Sequence, residues 1–240
     1  MTEAAASAFH AQYVPPFVQQ PTFPRAQELA GGAALTLEQE LAVTKHLAEV
    51  APLETIRLEA FDKALRIMQK LLRGSTANSM PTAMKLKAWE VPLLQYALEY
   101  SAKSPGNRRI VTRRLVENLE TGTGFFSVNR AKQGLKVIAK KTGLSTLEDE
   151  LESGEDDVRR TAAHLLGWLK HEKAVLPLLK AFCQGARSDR RIIGRVLKHH
   201  YSHLAPFYAH RYLPEFQEPI NILMESESGR AQTEPSSDHF

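Results

Sequence analysis

Cysteine is almost missing from this 240-residue chain, with Cys183 its single example. No intrachain disulfide can form, so no such crosslink holds the fold. Cys183 follows Phe182 in an apolar run and reads as a small buried hydrophobe. Long apolar runs are missing too. None approaches the roughly 20 residues that span a bilayer, so no membrane insertion is expected. The opening stretch, MTEAAASAFHAQYVPPFVQQ, has no basic region ahead of an apolar core. It does not read as a secretory signal, and a cytoplasmic location is expected. No stretch alternates convincingly as a strand would.

What is present is ordinary globular composition, 43% hydrophobic and 24% charged. The charge is unevenly placed. The whole chain carries net +4, yet residues 36–224 hold 29 basic against 21 acidic residues, a net of +8. That excess favours an anionic partner without naming one.

Residues 1–35 read as a disordered tail, with Pro15, Pro16, Pro21 and Pro24 among Ala, Gln and Thr before Gly31-Gly32. Proline lowers the entropy lost on binding, so such a tail can also dock on a partner. Residues 218–240 read as a polar C-terminal tail, its last 16 residues expected to be disordered. Between them, 36–217 reads as one helical domain, with 36–74 a candidate separate cap.

Helix signals fill that domain. Thr36 and Gln39 form a capping-box pattern. Pro52 can open a second helix, with Ile56, Ala60, Ala64, Ile67 and Leu71 on one face and Gly74 as its stop. A third stretch, 82–102, contains Pro92, expected to break or kink it. Residues 108–119, 128–141, 145–152, 157–170, 173–183 and 189–204 read as further helices. Ser127 and Ser145 are candidate N-caps, Gly143 and Gly154 candidate stops. Short loops between helices of this length imply antiparallel neighbours.

Residues 155–182, EDDVRRTAAHLLGWLKHEKAVLPLLKAF, carry a pattern: an acidic turn, Val158-Arg159, Ala162, Leu165-Leu166-Gly167, then Ala174-Val175, Pro177 and Leu178-Leu179. This segment resembles the HEAT-like repeat of the phycobilisome-lyase type. Residues 128–151 are a weaker copy, and VPLLQYAL at 91–98 echoes LPLLKAFC at 176–183. The resemblance implies an α-solenoid of antiparallel helix pairs whose neighbours bury each other's faces. It also implies that Arg159 and Arg160 serve contacts between repeats. On the residues themselves, Gly167 permits close approach of a neighbouring helix, and Leu165 and Leu178 are expected to link the two helices of one repeat.

The candidate partner-binding residues are basic. Arg108, Arg109, Arg113, Arg114, Arg130, Lys132, Lys136, Lys140 and Lys141 face only Glu117 and Glu120 within 106–142, a net of +7. Arg109 and Arg113 are one turn apart, as are Lys132, Lys136 and Lys140 in succession. Arg190, Arg191 and Arg195, with Arg187 and Lys198, form a second cluster. Turned to one side, such faces could track phosphates. Equally, they could be solvated or pair with the acidic stretch 148–157. His199, His200, His203 and His210 lack a completing carboxylate or cysteine and are not expected to hold metal. ETGTGFF, 120–126, lacks the preceding strand and full glycine pattern of a phosphate loop; Phe125-Phe126 is expected to anchor the next helix. Trp89 and Trp168 are expected to pack in the core. No cofactor or catalytic constellation is indicated. The expected function is a non-enzymatic scaffold or adaptor for a protein or peptide, with nucleic-acid binding through a basic groove as the alternative.

Overall fold

The computed structural model describes residues 35–76, 89–153 and 155–225. Among these, every regular element is helical and none is a strand, as the sequence predicts. Residues 1–34 and 226–240, most of the two expected tails, lie outside the described residues. So do 82–88, where the third helix was expected to begin, and Gly154. No helix among the described residues is long and apolar enough to cross a membrane. The chain divides into two compact units, Met1–Ala131 and Lys132–Phe240.

In the first unit, α1 (Leu37–Val50) begins at the expected capping box: the Gln39 N–H donates to Thr36 Oγ1 at 3.3 Å, and the Thr36 N–H to Gln39 Oε1 at 3.0 Å. A turn through Ala51 to Leu53 leads to α2 (Glu54–Thr76). Pro52 therefore precedes this helix and does not open it. Lys63 of α2 pairs with Glu40 of α1 at 3.0 Å. The two residues are about equally far from the turn, as antiparallel helices require. Gly74 does not stop α2, which continues to Thr76. An exposed helical glycine costs only about 1 kcal/mol against alanine.

The second pair is α3 (Glu90–Lys103) and α4 (Pro105–Thr121). Pro92 is the third residue of α3, in the first turn, where backbone N–H groups have no intrahelical acceptor. It neither breaks nor kinks the helix. α4 starts earlier than its apolar periodicity indicates, because Ser104 caps it and Pro105 takes the first position. An aromatic cluster sits among the buried aliphatic side chains of this unit. Phe61 of α2 stacks on Tyr100 at 4.8 Å and on Tyr96 at 5.8 Å between ring centroids.

α5 (Val128–Thr142) spans the division between the units. Gly143, at φ +84°, joins it directly to α6 (Leu144–Leu151). Its N–H donates to Ala139 O and its carbonyl accepts from Leu147, so one residue serves both helices and leaves no capping role for Ser145. Then come α7 (Asp156–Leu169), a 3₁₀ turn Glu172–Ala174, α8 (Val175–Gln184), α9 (Arg187–Tyr201) and α10 (Ala205–Tyr212). A second 3₁₀ turn, Pro214–Phe216, leads to α11 (Gln217–Glu225). The sequence assigned residues from 218 onward to a tail. Instead α11 buries Ile220 completely and lays Leu223 near Gly194 of α9.

Packing in the second unit follows a rule. Consecutive helices α6 and α7, α8 and α9, and α10 and α11 pack together. Next-but-one helices also pack: α6 with α8, α7 with α9, α8 with α10, and α9 with α11. The backbones of α7 and α8, the two halves of the segment 155–182, approach each other less closely than either approaches α9. Small residues explain why. Gly167 of α7 is buried, and a Cβ there would meet His200 Cδ2 at 2.6 Å and Val196 Cγ1 at 2.8 Å. Only glycine lets α9 sit so close. Leu165 and Leu178 are fully buried, as expected.

A tyrosine hydroxyl closes a helix end in each unit. Tyr100 of α3 donates to Ala48 O in the last turn of α1 at 2.6 Å. Tyr201 of α9 donates to Leu166 O in the last turn of α7 at 2.7 Å. Both carbonyls belong to the group that a helix leaves without an intrahelical donor.

Three substitutions test this packing. Tyr201→Phe removes a buried hydrogen bond and should cost about 1–2 kcal/mol. Gly167→Ala should cost about 1–3 kcal/mol by overpacking, and Leu165→Ala about 2–5 kcal/mol by leaving a cavity. Equilibrium urea unfolding measures all three. Wild-type stability in Gly167→Ala would refute the close approach of α7 and α9.

Candidate interaction surface

The basic residues marked in the sequence separate into two kinds. Those on α4 are largely engaged inside the first unit. Arg114 forks onto Asp62 of α2: Nε donates to Oδ1 at 2.9 Å, and Nη2 pairs with Oδ2. Its Nη1 also reaches Glu117 at 2.5 Å. Both side chains of the Arg114–Asp62 pair are mostly covered. Arg109 pairs with Glu54 of α2 at 3.0 Å. Arg108 is half-buried. Arg113 alone points outward, 62% exposed, with Glu117 at 3.2 Å. Arg109 and Arg113, one turn apart in the sequence, thus take different roles: Arg109 turns to an acid on α2 and Arg113 to solvent, which a local reading does not show.

Arg159 and Arg160 of α7 converge on Asp189 of α9, whose side chain is fully buried. Arg159 donates through Nε at 3.0 Å and Nη2 at 2.7 Å, and Arg160 through Nε at 2.9 Å. Burial pushes the Asp189 carboxyl upward, but these hydrogen bonds outweigh it and hold the group below the usual carboxylate range. Asp156 pairs with both arginines from its own helix. The acidic stretch thus serves these two arginines and none of the marked residues for which a partner is described.

Lys132, Lys136 and Lys140 are different. All three are exposed on α5, and none has an anionic partner among the described residues. Arg130, on the same helix, is half-buried and engaged. On α9, Arg191 is exposed and unpaired among the described residues, Arg195 is exposed but engaged, and Arg190 donates to Gly185 O at 2.8 Å.

The other candidates resolve as structure. Asn118 ties the 120–126 loop down: its Oδ1 accepts from the Phe126 N–H at 3.2 Å, and Phe126 is buried. Trp89 and Trp168 are half-buried and not core; Arg73 lies over Trp89 at 5.0 Å, and His200 meets Trp168 edge-on at 4.9 Å. No group of three or more potential metal ligands gathers among the described residues. Cys183 is half-buried, and burial pushes its thiol up. An open depression of about 380 Å³ is lined by α1 and α2 side chains of mixed charge, including Glu40, Lys63 and Arg66. Comparison with known protein families, curated proteins and solved structures finds no match.

Two predictions follow from these roles. Arg114→Ala should cost about 2–3 kcal/mol, because it strands the covered Asp62 carboxylate, whereas Arg113→Ala should stay within about 0.5 kcal/mol. Equal costs in thermal unfolding would undo the distinction. His200 titrates differently. Burial, with His199, Lys170 and His164 nearby, pushes its imidazole down to about 4. The unfolded chain then binds the extra proton first, so stability declines as pH falls from about 6.5 toward 4. Melting curves over that range should show a shallower decline for His200→Gln. Parallel curves would contradict this.

Proposed function

We propose that this chain is a non-enzymatic, HEAT-like helical-repeat scaffold or adaptor that holds a protein or peptide partner in the cytoplasm. The supporting observation is the next-but-one packing of α6 through α11, in which each helix shares its buried face with the neighbouring pair. The segment resembling the phycobilisome-lyase type of HEAT repeat occupies α7 and α8. Its Arg159 and Arg160 reach Asp189 on α9, a contact of the kind that resemblance implies. Repeat stacks present extended surfaces, and function on them is set by the side chains displayed.

A second reading, nucleic-acid binding, draws on the exposed cations Lys132, Lys136, Lys140 and Arg191. It is the weaker reading, because Arg109, Arg114, Arg159 and Arg160 are committed to internal acids. The full chain used as bait, with and without nuclease, separates the two. A protein retained after nuclease, and bound again when both components are purified, supports the adaptor. Capture abolished by nuclease, with micromolar binding of the purified chain to oligonucleotides near physiological salt, supports the alternative.

A further inference from the structure

We propose that the lysine row of α5 is the contact edge for an acidic polypeptide segment whose carboxylates recur at four-residue helical spacing. This rests on the adaptor reading, and it names the partner's chemistry. Lys132, Lys136 and Lys140 lie within about a quarter of the helix circumference, their Cα atoms advancing about 6 Å at each step. Asn129 shares that exposed face. Across the helix, Ala131, Leu135, Ile138 and Ala139 are buried, so α5 cannot roll to hide the row. Some other cations have an acid, as Lys63 has Glu40, Lys103 has Glu49 and Arg114 has Asp62. The row keeps its full charge available.

The choice between polypeptide and nucleic acid turns on what accompanies that charge. No exposed aromatic on α5 could stack a base. Arg130, the helix's one guanidinium, is half-buried, so the exposed row itself offers no fork to a phosphate. Three point charges give a smaller phosphate footprint than the roughly 6–10 contacts of strong non-specific binders. Carboxylates at i, i+4 and i+8 of a partner helix repeat at the same 6 Å step and meet all three ammonium groups at once.

The test uses the purified full chain and a labelled alanine-rich peptide with glutamates at i, i+4 and i+8. Binding is measured near physiological salt, beside duplex and single-stranded oligonucleotides. The peptide should bind more tightly than either oligonucleotide. Lys132→Glu with Lys136→Glu and Lys140→Glu should weaken it at least ten-fold, and a peptide with lysine for glutamate should regain binding to that variant. Lys180→Glu, at an exposed lysine outside the row, should change nothing. If the triple reversal fails to fold by circular dichroism, the triple glutamine variant must show the same loss. Tighter oligonucleotide binding, or equal peptide binding by the triple variant, overturns the proposal. A partner protein retained by the triple variant would sink the lysine row and leave the adaptor reading standing. Peptide binding with no partner captured would do the reverse.

Discussion

The second unit depends on one junction, where α7 meets α9. Two arginines of α7 close on a single buried carboxylate of α9, and a glycine on the same helix lets the two approach. The carboxylate would be costly to bury alone, and the guanidinium groups repay that cost only because several hydrogen bonds form together. Gly167 supplies the space and Asp189 the register. With α9 fixed against α7, α8 and α11 have a surface on which to pack. Phe182 of α8 and Leu223 of α11 both come near Gly194 of α9.

The same economy of charge shapes the first unit. Arg109 and Arg114 leave one side of α4 for Glu54 and Asp62 on α2. Basic residues crowded in sequence therefore disperse in space, some inward to acids and some outward to solvent. The count of 29 basic residues over 36–224 therefore overstates the cations a partner meets, although the net of +8, which already subtracts the acids, is unchanged by internal pairing. The part left to solvent is concentrated where acids are not nearby, as on α5.

Much of the helical framework was legible from local patterns. The capping box at Thr36, the Gly143 boundary and the apolar stripes of α7 and α8 each act within a few residues, so sequence reports them directly. Misjudged features depended on partners far along the chain. Pro92 looked disruptive because its helix was thought to start earlier. The segment after residue 217 reads as a tail because its polar end, 225–240, outweighs the short apolar run Ile220, Ile222, Leu223 and Met224, and the burial of Ile220 needs the rest of the unit. The pairing of α7 with α9 was only half visible: Gly167 signalled a close approach, but nothing local said which helix would come. Arg114 likewise gave no hint of Asp62, 52 residues away.

The tyrosine hydroxyls set a rule for helix length. Tyr201 donates to the Leu166 carbonyl, which lacks an intrahelical donor because α7 ends within one turn of it. Ala48 stands in the same relation to Tyr100. Extending α1 or α7 by residues at its C-terminal end would give that carbonyl an intrahelical N–H and displace the phenol as its donor. Residues added near the start of α1 would leave that hydrogen bond intact. Each phenol thus works as a gauge, and drift in length is steered toward the opposite end of the helix it measures.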